Sequence, residues 1–148
     1  MNSHPYLRAF LAGVFVPTLI LPGMLGFFLL VHYAFERSFP VERGLVFPMG
    51  LLPALWGLWN VIWKWSHPTT HLSLGAHGAI LPLLMLPAGA LIASYLGILA
   101  LGANGVIWFQ VVHVPYAWVG AVFAAGLAVY YLVWKHVVGF VNQTLCVA

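Results

Sequence analysis

Histidine is the residue type through which this sequence could do chemistry. The chain has seven histidines, and neutral imidazole is a good ligand for haem iron, zinc, copper or the magnesium of a pigment. Three of them fall within the eleven residues HPTTHLSLGAH, residues 67–77. The candidate cofactor ligands are His77, His136, His71, His32 and His113.

A haem b group would need two histidines at similar depth on different helices. His77, near the start of the third apolar run, and His136, near the end of the fourth, satisfy this condition if the two helices run in opposite directions. His32 and His113 form a second pair on the other side. All of them are predicted close to the ends of apolar runs, where an ordinary hydrated or structural imidazole is the leading interpretation, and ligation of haem, chlorophyll, zinc or copper is the alternative.

Other chemistries have little support in the sequence. The only carboxylate side chains are Glu36 and Glu42, and no Ser/His/Asp, phosphate-loop or metalloprotease motif appears. Cys146 is the single cysteine, so a disulfide within the chain is excluded. The net charge of +3 comes without any basic run, which argues against nucleic-acid binding. We therefore expect no catalytic activity of the chain's own.

The composition identifies the solvent around this chain as a lipid bilayer. Charged residues make up 5% of the sequence, against about 25% in soluble domains. Hydrophobic residues make up 64%, and the mean hydropathy is +1.02. A water-soluble surface could not be built from this composition.

Four apolar runs are each long enough to cross about 30 Å of hydrocarbon as a helix. They cover residues 9–35, 45–63, 79–101 and 116–138. Short connections predict an all-α integral membrane protein, in which four transmembrane helices form an antiparallel up-down bundle as a single domain over residues 1–148. The first run is too long for a signal-peptide core and is interpreted as a retained span. The apolar connection 102–115 is expected to lie flat in the membrane interface or to lengthen the fourth helix.

The few basic residues suggest an orientation. Arg8, Lys64 and Lys135 fall on one side of the four-span arrangement, and Arg37 and Arg43 fall on the other. The positive-inside rule then places both termini in the cytoplasm, in a membrane of the bacterial inner-membrane type.

Aromatic residues mark the predicted span ends. Tyr and Trp prefer the headgroup level of a bilayer, and this belt would contain Tyr6, Tyr33, Trp63, Trp65, Trp108, Tyr116, Trp118 and Trp134. Trp56 and Trp59 are predicted deeper, beside Asn60, where they could line a pocket.

Small residues recur at every fourth position in the last two spans. Close approach of helix backbones supplies packing in lipid, so these two faces are expected to pack within the bundle or against another protein. The positions are Gly89, Ala93, Gly97, Gly120, Ala124 and Ala128. The leading hypothesis is a non-catalytic polytopic subunit of a larger membrane protein complex, with the lipid bilayer and other membrane subunits as its partners. The alternative is a cytochrome b-like or pigment-binding electron-transfer subunit, in which histidines hold haem b or a chlorophyll-type pigment.

Overall fold

The computed structural model describes residues 4–35, 47–110 and 112–147, and this part of the chain is mostly helical. Glu36, Arg37, Glu42 and Arg43 lie outside these residues. In chain order, the helical elements are α1 (Pro5–Phe35), α2 (Phe47–Thr70), α3 (Leu74–Tyr95), α4 (Tyr116–Leu132), a π-helical segment (Val133–Val138) and α5 (Gly139–Thr144). The last three elements follow one another without a break.

Within the described residues, three helical stretches are long and apolar enough to cross a membrane: Pro5–Ala34, Leu74–Tyr95 and Tyr116–Thr144. This confirms the prediction of a mainly helical chain suited to a membrane. Helix α2 has 24 residues, but its second half carries Asn60, Lys64 and His67, which make it less apolar than the other three. The fourth span therefore stays a prediction.

The connection between α2 and α3 is much shorter than the predicted residues 64–78. It consists of His71, Leu72 and Ser73 alone. His71 has a φ of 51° just after the end of α2, and the Ser73 hydroxyl accepts a hydrogen bond from the Ala76 amide at 3.3 Å. This is a helix N-cap, and it lets α3 begin five residues before the predicted start of the span at position 79.

The third span and its connection differ most from the prediction. Helix α3 ends at Tyr95 rather than near 101, and Gly97 takes a φ of 70°. An antiparallel three-stranded sheet follows, with β1 (Leu99–Leu101), β2 (Gly105–Trp108) and β3 (Val112–Pro115) side by side in that order. The expectation of a longer fourth helix is therefore wrong, because α4 begins only at Tyr116, and the expected position of this connection in the membrane interface stays a prediction. The β-branched pairs of β2 and β3 favour strands, and only glycine fits at Gly105, where a Cβ would collide with the Val114 carbonyl.

The hydrophobic core lies toward one end of the helices. Helix α1 packs mainly on α2, and α3 packs mainly on α4 and the π-helical segment. The buried residues that join these pairs are Val16, Trp56, Leu81, Trp134 and Val138.

Candidate functional site

A pair of buried asparagines stands at the centre of the most polar region described. Asn60 and Asn142 are both 0% exposed. The Asn60 Nδ2 donates to Asn142 Oδ1 at 2.7 Å, and the Asn142 Nδ2 donates back to Asn60 Oδ1 at 3.1 Å. The Asn60 Nδ2 also donates to the Ala9 carbonyl at 2.7 Å. The pair therefore joins α1, α2 and α5 through side chains whose hydrogen-bonding groups satisfy one another.

Local helical periodicity positions both asparagines. Trp56 and Asn60 lie four residues apart on α2, and both are buried. Trp134, Val138 and Asn142 are buried at the same interval along the π-helical segment and α5. Residues four apart lie on the same face of a helix, so each asparagine continues an apolar stripe that already faces the core.

Two basic side chains converge on the turn that follows α5. The Arg8 Nη1 donates to the Leu145 carbonyl at 3.2 Å, and the Lys64 Nζ donates to the Val147 carbonyl. The Val147 amide in turn donates to the Asn142 carbonyl at 2.8 Å. Cations are stabilising at helix C-termini, where carbonyl groups lack partners within the helix. These two charges therefore hold the C-terminal turn against the first two helices.

His77 is a buried residue whose ring is already engaged. Its Nε2 lies 3.1 Å from the Trp59 carbonyl oxygen, and the Trp59 indole N–H donates to the His77 carbonyl at 2.9 Å. The two rings are stacked with centroids 4.5 Å apart. The next residue, Gly78, packs against Trp134. A Cβ at position 78 would collide with the Trp134 side chain. In this arrangement His77 joins α2 to α3, and Nδ1 is the ring nitrogen left for any ligand.

The other candidate histidines are in different surroundings. His136, in the π-helical segment, is exposed, and so is His71 between α2 and α3. His113 is exposed on β3, opposite Ile107. His32 is half-buried on α1, with its ring edge-on to Tyr33 at 5.2 Å. Among residues 4–35, 47–110 and 112–147, no three His, Cys, Asp or Glu side chains come together as a metal-binding group.

The aromatic residues divide into two groups. Trp65 and Trp118 are exposed, as expected for a membrane belt, whereas Trp63 and Trp134 are buried inside the protein. Trp56, predicted to line a pocket, instead fills the core, with its ring centroid 5.2 Å from those of Tyr130 and Trp134.

Within the described residues, the small-residue faces of α3 and α4 are largely open, although Ala93 is half-buried. A Cβ added at Gly89 or Gly120 would have no heavy atom within 4 Å, and Ala124 and Ala128 are exposed. Gly97 lies beyond the end of α3 and has no such neighbour either. Packing of these faces against a partner remains a prediction.

The close backbone approaches occur at other glycines, which the four-residue spacing did not select. A Cβ at Gly13 would collide with the Trp56 carbonyl and lie 2.9 Å from the Gly57 Cα. At Gly75 it would lie 2.9 Å from the Tyr131 ring. Gly57 and Gly78 are further close approaches, and each directly follows a large ring-bearing residue that is buried, Trp56 or His77.

No protein-family model, curated protein or solved structure matches this chain. Over residues 4–35, 47–110 and 112–147, the class that the chain defines is a mainly helical protein with three helices suited to crossing a membrane.

Proposed function

We propose that this chain is a non-catalytic polytopic subunit of a larger membrane protein complex, packing through apolar and small-residue helix faces. The observation that carries the proposal is the open face on α4. Gly120, Ala124 and Ala128 are exposed, although small residues at this interval are the usual means of close helix packing in lipid. A neighbouring helix from another subunit would find a flat surface there.

The polar groups support a structural role over a catalytic one. Arg8 and Lys64 donate to backbone carbonyls, Asn60 and Asn142 bond to each other, and His77 is paired with Trp59. Each of these side chains connects one helix to another helix or to the turn after α5. These hydrogen bonds favour a role as structural links within the helical assembly.

We further propose that α2 also crosses the bilayer, so that four helices alternate in direction. At 1.5 Å per residue its 24 residues reach about 36 Å, which is enough to span the hydrocarbon. In support, α1 and α2 are antiparallel where they pack, because Ala9 contacts Asn60 and Gly13 contacts Gly57. Reporter fusions after residue 148 and within the 36–46 connection should report opposite sides of the membrane.

The proposed orientation places both termini in the cytoplasm, in a bacterial-type inner membrane. Arg8 and Lys64 both contact the turn after α5, so these basic residues gather at the end of the helices that carries the C-terminal turn. Positive charge near span ends favours the cytoplasmic side. If a C-terminal reporter that functions only outside the cytoplasm were active, the orientation would be the opposite one.

The subunit role is tested by two matched substitutions on α4. Ala124 and Ala125 are both exposed, but only Ala124 belongs to the small-residue face. Ala124→Leu should lower the recovery of co-purifying membrane proteins after mild detergent extraction, because the larger side chain overpacks the contact. Ala125→Leu should leave recovery unchanged, and the purified chain should unfold alike in both variants.

Two outcomes would count against the subunit role. Equal recovery for Ala124→Leu and Ala125→Leu would mean that this face contacts lipid. A haem or chlorophyll absorption band in the same preparation, lost in His136→Ala, would favour the electron-transfer alternative instead.

A further inference from the structure

The three-stranded sheet has one face that is entirely apolar. The cross-strand pairs Leu99 with Trp108 and Leu101 with Val106 are continued on β3 by Val112 and Val114. Because side chains alternate across a strand, these six residues share a face, which we call the apolar face of the sheet. Leu101 is 74% exposed, Val112 46% and Trp108 42%. The described residues of the chain therefore leave half of this face uncovered.

The surroundings of the sheet contain no charge. The sequence has no Asp, Glu, Lys or Arg between Lys64 and Lys135, a stretch that includes α3, the whole sheet and α4. The other face of the sheet carries Ala100, Ile107 and His113. A protein surface in water normally carries charged side chains, and neither face of the sheet does.

The apolar face belongs to a sheet that lies between two membrane-length helices in the chain. The sheet connects the end of α3 to the start of α4. At these helix ends Tyr95 is 91% exposed and Trp118 is also exposed. The Tyr116 hydroxyl donates to the Gly102 carbonyl at 2.8 Å, which ties the first hairpin to the beginning of α4. Tyr and Trp at such positions are typical of the membrane–water interface.

We propose that the apolar face of the sheet lies in the membrane interface, against the glycerol and ester region of the lipids and the first carbons of their acyl chains. The outer edges of β1 and β3 offer backbone N–H and C=O groups that the sheet does not pair. In the hydrocarbon these groups would lack partners, whereas interfacial water and lipid ester oxygens can bond to them. The interface is thus the depth that suits both the apolar side chains and the open edges. The proposal uses the membrane location of α3 and α4 and is independent of the subunit role.

Spin labels can measure this depth in the full-length chain. Cys146 is the single cysteine and is exposed, so Cys146→Ser provides a background for Leu101→Cys and Val112→Cys in phosphatidylcholine vesicles. Leu84→Cys, exposed on α3, is the reference for lipid, and Thr69→Cys, exposed at the end of α2, is the reference for water. Oxygen concentrates in the hydrocarbon, and a nickel chelate stays in water.

The ratio of oxygen to nickel-chelate collisions at Leu101 and Val112 should be several-fold above that at Thr69 and below that at Leu84. A ratio equal to that at Thr69 would place the sheet in water and overturn the proposal. Low collision rates with both reagents would mean that another protein covers the face, which would also overturn it.

A second measurement needs no cysteine. Phosphatidylcholine brominated near the ester end of its acyl chains should quench Trp108, so Trp108→Phe should reduce the fraction of tryptophan fluorescence that this lipid quenches. Trp56→Phe, a change at a core tryptophan that is only 6% exposed, should leave that fraction nearly unchanged. An equal quenched fraction in the wild type and in Trp108→Phe would contradict the proposed depth.

Discussion

Asn60 and Asn142, 82 positions apart in the sequence, exchange two side-chain hydrogen bonds in a site that excludes solvent. Each amide supplies one donor and one acceptor to the other. The spare hydrogen of Asn60 goes to the Ala9 carbonyl. The two amide groups thus link three helical elements, α1, α2 and α5.

This reciprocity predicts strong coupling between the two side chains. Asn60→Ala and Asn142→Ala should each lower the free energy of unfolding by about 1 to 3 kcal/mol, because each leaves a buried amide without its partner. The double variant should lose less than the sum by about 0.5 to 2 kcal/mol, since the second substitution removes the orphaned group. Equilibrium unfolding in detergent with increasing dodecyl sulfate measures all three values. Strict additivity would show that the pair does not act as a unit.

Two glycines of α1 should respond in opposite ways to the same substitution. Gly13→Ala places a methyl group against the backbone of Trp56 and Gly57, and we expect a loss of about 1 to 3 kcal/mol from overpacking. Gly23→Ala meets no atom within 4 Å and should be neutral or stabilising by up to about 1 kcal/mol, because alanine has the higher helix propensity. The same unfolding titration compares them. Equal effects at the two positions would contradict the close α1–α2 contact at Gly13.

The structural role of His77 predicts that its substitution lowers stability more than substitution of His136 does. His77→Phe retains an aromatic ring beside Trp59 but removes the hydrogen bond to the Trp59 carbonyl, so stability should fall by about 0.5 to 1.5 kcal/mol. His136→Ala alters an exposed residue and should change stability by less than about 0.5 kcal/mol. Thermal unfolding of both variants gives the comparison. If His136→Ala were the more damaging change, a role for His136 beyond its exposed position would follow.

Lys64 should control the order of the C-terminal turn. Lys64→Met removes the donor to the Val147 carbonyl, so backbone amides of residues 145–147 should exchange with deuterium faster than in the wild type. Lys135→Met is the control, because Lys135 lies over the Tyr131 ring, with its Nζ 5.8 Å from the ring centroid, and does not bond to that turn. Mass spectrometry of the C-terminal peptide reports the exchange. Unchanged exchange in Lys64→Met would show that Arg8 and the helix itself suffice to hold the turn.

Part of the candidate site could be foreseen from the residues alone. Asn60, as the strongly polar residue within an apolar run, and its neighbours Trp56 and Trp59 could be selected because polar groups inside lipid need partners. Asn142 could not, because its position past the predicted end of the fourth span resembles a hydrated tail. The small-residue spacing on α4 identified a flat surface but not what covers it, since open glycines and packed glycines look the same in a sequence.

The sequence by itself determined the class of protein, because charge content and the length of apolar runs depend only on composition and order. Tertiary structure decided which polar groups meet. Asn142 reaches Asn60 only because the π-helical segment and α5 continue the stripe of Trp134 and Val138 into the core. His77 is buried because a three-residue connection brings α3 alongside Trp59. The sheet after Tyr95 was also decided at this level, because apolar β-branched residues suit either a membrane helix or a strand, and the pairing of Val106 with both Leu101 and Val114 selects the strand.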